Sequence, residues 1–232
     1  MKRALEVVPR GRRRAAENMA ADWLMLTEAA RAGAAFVRTY GWSEPAATFG
    51  YTQRQADIAA LTGGWQLSAL IRRPSAGGLV DHRDDWTFAL AVPRAWPLAG
   101  APPAEVYAQV HGALAAALRQ RGVAAELAGE VTGDPLQCFV APVRDDLIEP
   151  GTGRKLAGAA LKRSREGLLL QGSLLGETAR AAEPEALEQA LVGRLSGLLQ
   201  ADAAASAWLP EGEQSWPSRV EKLSGEAWNH RR

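Results

Sequence analysis

Apolar positions recur along this chain with two different periods, and the places where the period changes divide it into helices and strands. In residues 15–34, Met19, Trp23, Leu24 and Leu26 fall at largely helical spacing and Gly33 offers a stop, which predicts a helix. Residues 35–42 and 46–51 are short, aromatic and β-branched, and the turn residues Ser43, Glu44 and Pro45 between them predict adjacent strands. A short helix over 53–61 follows, then a strand over 65–72 that runs into Pro74-Ser75-Ala76-Gly77-Gly78. Residues 79–80 and 86–92 resume extended structure on either side of His82-Arg83-Asp84-Asp85, as a hairpin would.

The second half is simpler to parse. Pro102 and Pro103 introduce a long amphipathic helix on which Val106, Val110, Leu114 and Leu118 recur every four residues, ending before Gly122. Strands are expected over 123–127, 137–140, 146–148, 155–162 and 167–174, mostly joined as hairpins. A helix over 184–199 carries Leu187, Leu191, Leu195 and Leu198 as its buried stripe, and a short final helix is expected over 218–227. Strands that follow one another by hairpins, with helices inserted at a few points, indicate an α+β domain with a mixed or mostly antiparallel sheet flanked by helices. The chain reads as a single domain over 1–232, with a core of 15–200, a basic tail of 1–14 and a C-terminal extension of 201–232.

Composition changes this picture little. At 232 residues, 47% apolar and 23% charged, the chain can bury a core and has the proportions of an ordinary globular protein. A net charge of +1 argues against a protein built to neutralise nucleic-acid phosphates. The local run Lys2, Arg3, Arg10, Arg12, Arg13, Arg14 is read either as a solvated tail or as a docking strip for an acidic carrier protein. No stretch approaches the ~20 apolar residues that span a bilayer, and the start lacks the apolar core of a signal peptide, so a cytoplasmic location is expected. One cysteine, Cys138, cannot form an internal disulfide.

Three segments carry candidate chemistry. In the first, Arg72 to His82, consecutive small residues at a strand end let a ligand approach the main chain and let N–H groups point at an anion, with Arg72 and Arg73 adding charge for a phosphate or carboxylate. It lacks the ending of a P-loop and the following helix of a dinucleotide fingerprint; a glycine-rich turn has the same composition. In the second, Lys155 stands on a strand of small residues that includes Gly158 and Ala159, which leaves room beside the ammonium; an exposed strand lysine is the ordinary alternative. A lysine facing a cavity can hold an oxygen on which charge develops. In the third, Cys138 is either a small buried hydrophobe or, with Lys155 on a neighbouring strand favouring its thiolate, a nucleophile that forms an acyl thioester. His111 and His230 say less than His82, and no metal site is expected from three scattered histidines or from Asp81, Asp84 and Asp85.

Taken in order, Asn18-Met19-Ala20-Ala21-Asp22, Gly50-Tyr51-Thr52-Gln53, Arg72 to His82, Gly153 to Ala160 and Leu170-Gln171-Gly172-Ser173-Leu174 resemble the lipoate-protein ligase and octanoyltransferase family, whose catalytic domain is related to biotin protein ligase. The resemblance implies that Arg73, Ser75, Gly77, Gly78 and His82 line an acyl pocket and that Lys155 contacts the acyl carbonyl. Arg72, Ala76, Gly158 and Ala159 complete the candidate binding set. Cys138 stands where the cysteine-dependent octanoyltransferases similar to this chain carry their nucleophile. Such enzymes need no ATP, take octanoate from acyl carrier protein and deliver it to a lipoyl-domain lysine. A lipoate-protein ligase would instead use ATP and Mg, and would not need the thiol; a non-catalytic acyl-binding relative is the third reading. Two positions depart from the family's pattern. Ala76 replaces the first glycine of the usual triplet, at a cost of roughly 1 kcal/mol if positive φ is needed there, and Gln171 replaces a histidine.

Overall fold

The computed structural model describes residues 2–129 and 142–230. Its elements in chain order are β1 (Arg3–Arg13), α1 (Ala15–Ala32), β2 (Ala35–Trp42), β3 (Ala46–Phe49), α2 (Gln55–Thr62), β4 (Ala69–Arg72), β5 (Val80–Asp81) and β6 (Asp85–Pro93). Then come α3 (Pro97–Gly100), α4 (Pro103–Gln120), β7 (Glu126–Leu127), β8 (Leu147–Ile148), β9 (Lys155–Arg163) and β10 (Gly167–Leu175). The chain closes with α5 (Gly176–Ala181), α6 (Pro184–Leu199), β11 (Ala201–Ala205), α7 (Trp216–Ser224) and α8 (Glu226–Asn229).

An eight-stranded sheet in the order β11-β1-β2-β6-β10-β9-β8-β7 forms the body, and β4-β3-β5 make a small second sheet. β1 pairs in parallel with both β2 and β11, and the pairs from β2 to β7 are antiparallel, so the expected α+β architecture with a mixed sheet is found. Successive residues of a strand face opposite sides, and each side carries its own core. Val37 and Leu90 join Val106, Val110, Leu114 and Leu118 of α4 and the leucines of α6 on one face. Phe36, Ala89 and Ala91 join Met19, Met25 and Leu26 of α1 on the other. The expected stripe of α4 is fully buried, all four residues at 0% exposure. Proline at its start and Glu17 accepting the Arg14 backbone N–H at the start of α1 satisfy donors that a helix end would leave open. No described helix is long and apolar enough to cross a membrane.

The sequence-based expectations are corrected in three places. The basic start is no tail: residues 3–13 form β1, inside the sheet, and Lys2, Arg10, Arg13 and Arg14 pair with Asp202, Glu185, Glu211 and Glu44. The C-terminal residues are equally integrated, β11 at the sheet edge and α7 against α1. Neither β2 with β3 nor β5 with β6 forms an adjacent pair, because β3 and β5 belong to the small sheet. The hairpin β9–β10 is found as expected, with Ser173 opposite Gly158, Gly172 opposite Ala159 and Gln171 opposite Ala160.

Candidate acyl-binding site

That hairpin register places small residues side by side, and the hollow they leave is part of a cavity of about 250 Å³. The small sheet closes it from one side through Thr48 and Val80, and α4 closes it from another through Tyr107 and His111. Lys155 enters from the first residue of β9 with its side chain 10% exposed, and its Nζ lies 2.7 Å from Asp146 Oδ2. Asp146 is itself fixed by accepting the Val143 N–H at 2.8 Å. Gly158 lies under this ion pair: a Cβ there would stand 2.9 Å from Lys155 Cε and 3.0 Å from both Nζ and Asp146 Oδ1. Glycine is therefore what lets the ammonium lie along the strand into the cavity.

The glycine turn reaches the same cavity. Gly77 has φ 89° and Gly78 follows it, both on the wall, with Arg73 behind them. The Arg73 guanidinium donates to the Ala76 carbonyl at 2.6 and 3.1 Å and to the Thr48 carbonyl at 3.3 Å, which ties the turn to β3. Gly50 makes the approach possible, since a Cβ there would stand 1.9 Å from the Gly77 carbonyl oxygen. Gln53 holds Gly50 by accepting its N–H at 2.9 Å, which gives both polar ends of the Gly-Tyr-Thr-Gln segment a physical role.

The two neighbouring arginines do different work, because adjacent strand residues face opposite sides. Arg72 does not line the cavity. Its guanidinium donates to the carbonyls of Tyr51, Gln53, Trp228 and Asn229, clamping α8 onto the fold. Ser75 is corrected likewise: fully buried, its hydroxyl donates to Gln171 Oε1 at 2.6 Å and it forms no part of the wall. Ala76 is exposed, off the wall and not among the residues with positive φ, so the loop meets the alanine without the expected backbone cost. Gly158, Ala159, Gly77, Gly78, Arg73 and His82 line the cavity. Cys138 lies outside the described residues.

His82 has both ring nitrogens and one ring face engaged. Its Nδ1 faces Asp85 Oδ2 at 2.7 Å, its Nε2 faces Thr48 Oγ1 at 2.8 Å, and its ring stacks on Trp42 with centroids 3.9 Å apart. Ser173 and Thr87 also donate to Asp85 Oδ2, at 2.7 and 3.0 Å.

A second network runs beneath the turn. Asp22 on α1 accepts from Arg38 at 2.9 Å, from Tyr40 at 2.8 Å and from the amide of Gln171 at 2.6 Å. Burial raises the Asp22 pKa above its ordinary value against the opposing pull of Arg38, and burial with the adjacent Asp22 raises that of Tyr40. Gln171 thus joins this buried acid to Ser75 of the loop with donor and acceptor fixed at every pH, where a histidine would change both on titration.

Sequence reasoning missed Asp146, Tyr107 and His111. Tyr107 and His111 are four apart beside the buried stripe of α4, spacing that puts them on one face, and polar aromatics at the edge of an apolar stripe were the available signal.

The lipoyl protein ligase A/B catalytic domain model matches residues 14–226. Octanoyltransferase LipM of Carboxydothermus hydrogenoformans is 31% identical over 164 residues, 69% of this chain and 60% of that protein. Octanoyltransferase LipM of Symbiobacterium thermophilum is 33% identical over 178 residues, 71% of this chain and 62% of that protein. The match therefore spans less than two thirds of either relative. Among solved structures, lipoate-protein ligase A bound with ATP superposes with a TM-score of 0.72 at 18% identity, covering 99% of both chains. A bi-partite lipoate protein ligase from Thermoplasma acidophilum, described with its E2 lipoyl domain, gives 0.68 at 17% identity over 99% of this chain and 96% of that one. At such identities these likenesses establish the fold, and together with the family match over nearly the whole length they lead to one assignment: the chain belongs to the lipoyl protein ligase A/B catalytic-domain family.

Proposed function

We propose that this chain is a protein acyltransferase that takes an octanoyl or lipoyl group from a carrier thioester onto Cys138 and passes it to a lysine of a lipoyl-domain protein. The observation that carries the reading is the Lys155 ammonium, oriented by Asp146 into the same small cavity as the Gly77-Gly78 turn. In this reading the Cys138 thiolate attacks the donor's carbonyl carbon, a new C–S bond forms and the carrier leaves as its thiolate. The acceptor amine then attacks the same carbon, a C–N bond forms and the enzyme thiolate departs. Oxyanion character develops in both steps, and preorganised donors such as Lys155 and the turn's N–H groups stabilise it. The narrow cavity and its small-residue floor suit a short unbranched acyl chain. Acyl carrier protein is the donor and a lipoyl domain the acceptor on this account, in line with the octanoyltransferase names of the relatives. The chain acts as one catalytic unit, its first strand included.

An ATP-dependent ligase is the alternative within the family. It would place Arg72 and Arg73 at an acyl-adenylate phosphate, and the commitment of Arg72 to backbone carbonyls supports the thioester route instead. Incubating the protein with octanoyl carrier protein should add the mass of one octanoyl group at Cys138, and C138S should abolish transfer. Full activity of C138S with ATP and octanoate, and no adduct on the wild type, would establish the ligase.

A further inference from the structure

His111 belongs to neither network. It is 1% exposed on α4 and lines the cavity, and its Nε2 has no hydrogen-bond partner among the described residues. Its Nδ1 faces the Asp145 carbonyl, which can only accept, so Nδ1 carries the hydrogen and Nε2 presents a lone pair. A buried acceptor left without a hydrogen bond is costly, and such a group in a cavity wall calls for a ligand. The other cavity histidine, His82, has both nitrogens engaged.

Its neighbours locate it within the site. Asp145 holds His111 and the next residue, Asp146, holds Lys155, and both side chains line the same cavity. The two cannot serve the same purpose. Lys155, in contact with a carboxylate, is a donor, whereas an acceptor lysine arrives as an ammonium and must lose protons before its nitrogen can form an amide.

Resting on the acyl-transfer reading, we infer that His111 Nε2 is the base that takes a proton from the attacking acceptor amine. Nε2 first takes one proton from the acceptor ammonium and hands it to water; as the C–N bond then forms and the C–S bond breaks, the second proton passes through Nε2 to the departing thiolate, which restores the neutral imidazole. The charged and titratable groups facing His111 are Tyr107 on its own helix, Asp145, Asp146 and Arg144 from the segment before β8, and Lys155 on β9. Burial, the first of the influences on it, lowers the imidazole pKa, which keeps the base unprotonated near neutral pH.

H111N separates this role from a structural one, because the asparagine amide can still donate to the Asp145 carbonyl while nothing basic replaces Nε2. H111Q, with an uncharged amide near the Nε2 position, is the second variant. Octanoyl-loaded protein is mixed with a lipoyl domain and amide formation is followed in a single turnover across pH. Compared at equal acyl loading, both variants should transfer the group about 10²-fold more slowly than the wild type, the contribution expected of a general base. The wild-type plateau above the imidazole pKa should give way to a rate that climbs with pH until the acceptor amine itself deprotonates. Transfer by folded H111N or H111Q within about threefold of wild type, on an unchanged profile, would overturn the inference. If the wild type takes up no acyl group from the carrier, the thioester reading fails separately. The same variants are then compared with octanoyl-adenylate as donor, where equal rates, or none, would overturn the role of His111.

Discussion

Two buried ion pairs flank the glycine turn, and their surroundings differ. Arg38 and Asp22 are 1% and 0% exposed, and every face of the pair is filled: Asn18 accepts from the arginine, while Tyr40 and Gln171 donate to the aspartate. Lys155 and Asp146 are 10% and 6% exposed and abut open space, because Gly158 and the small residues beyond it leave a hollow. A charge pair enclosed on all sides fixes a structure; a pair that borders a cavity sets its charges against that space.

That contrast can be broken in order of size. R38M should destabilise the protein by about 3–5 kcal/mol, since it strands a buried carboxylate. Urea unfolding would show it, and a shift below about 1 kcal/mol would mean that Asp22 takes up a proton without penalty. K155Q should lower single-turnover acyl transfer by about 10²–10³-fold, the loss typical of one oxyanion donor, with a smaller change in the unfolding midpoint than R38M causes. If K155Q unfolds the protein and R38M silences only the chemistry, the assignment of the two pairs is reversed. G158A should cost about tenfold in rate through displacement of the ammonium, because small misplacements near reacting atoms are expensive; crystallography of the variant would show Lys155 moved off the strand.

The smallest effect concerns pH. His111 has a folded pKa below the ordinary 6.5, so the unfolded chain binds the proton more readily. Its contribution to stability is whole above 6.5 and is lost as pH falls through the lowered value. Denaturation midpoints should therefore fall on acidification through that range, and less steeply in H111N.

The elements that depend on local pattern were legible in the sequence. The fourfold repeat of Val106, Val110, Leu114 and Leu118 can bury one face only as a helix, and the short apolar run after the Ser164-Arg165-Glu166 turn reads as a strand buried on both faces. What escaped was set by distant partners. Residues 3–13 look like a polar tail until β2 and β11 supply hydrogen-bonded edges on both sides, and β3 looks like a neighbour of β2 until β4 and β5 claim it. In the site, Arg73, Gly77, Gly78, His82 and Lys155, which the motifs named, line one cavity. The motifs also enrolled Arg72 and Ser75, because a motif is blind to which face of a strand a side chain takes and to whether a hydroxyl is already bonded beneath the surface. Asp146 and His111 were missed because their roles arise only once the segment before β8 folds across β9 and α4.

The account turns on whether Lys155 assists acyl transfer from within the cavity. The most direct measurement incubates an unmodified lipoyl domain with octanoyl carrier protein and either wild-type protein or K155Q, and reads the intact mass of the domain over time. One octanoyl group on a single lysine with the wild type, and almost none over the same period with K155Q, is the expected result. Equal modification by the two proteins would contradict the account.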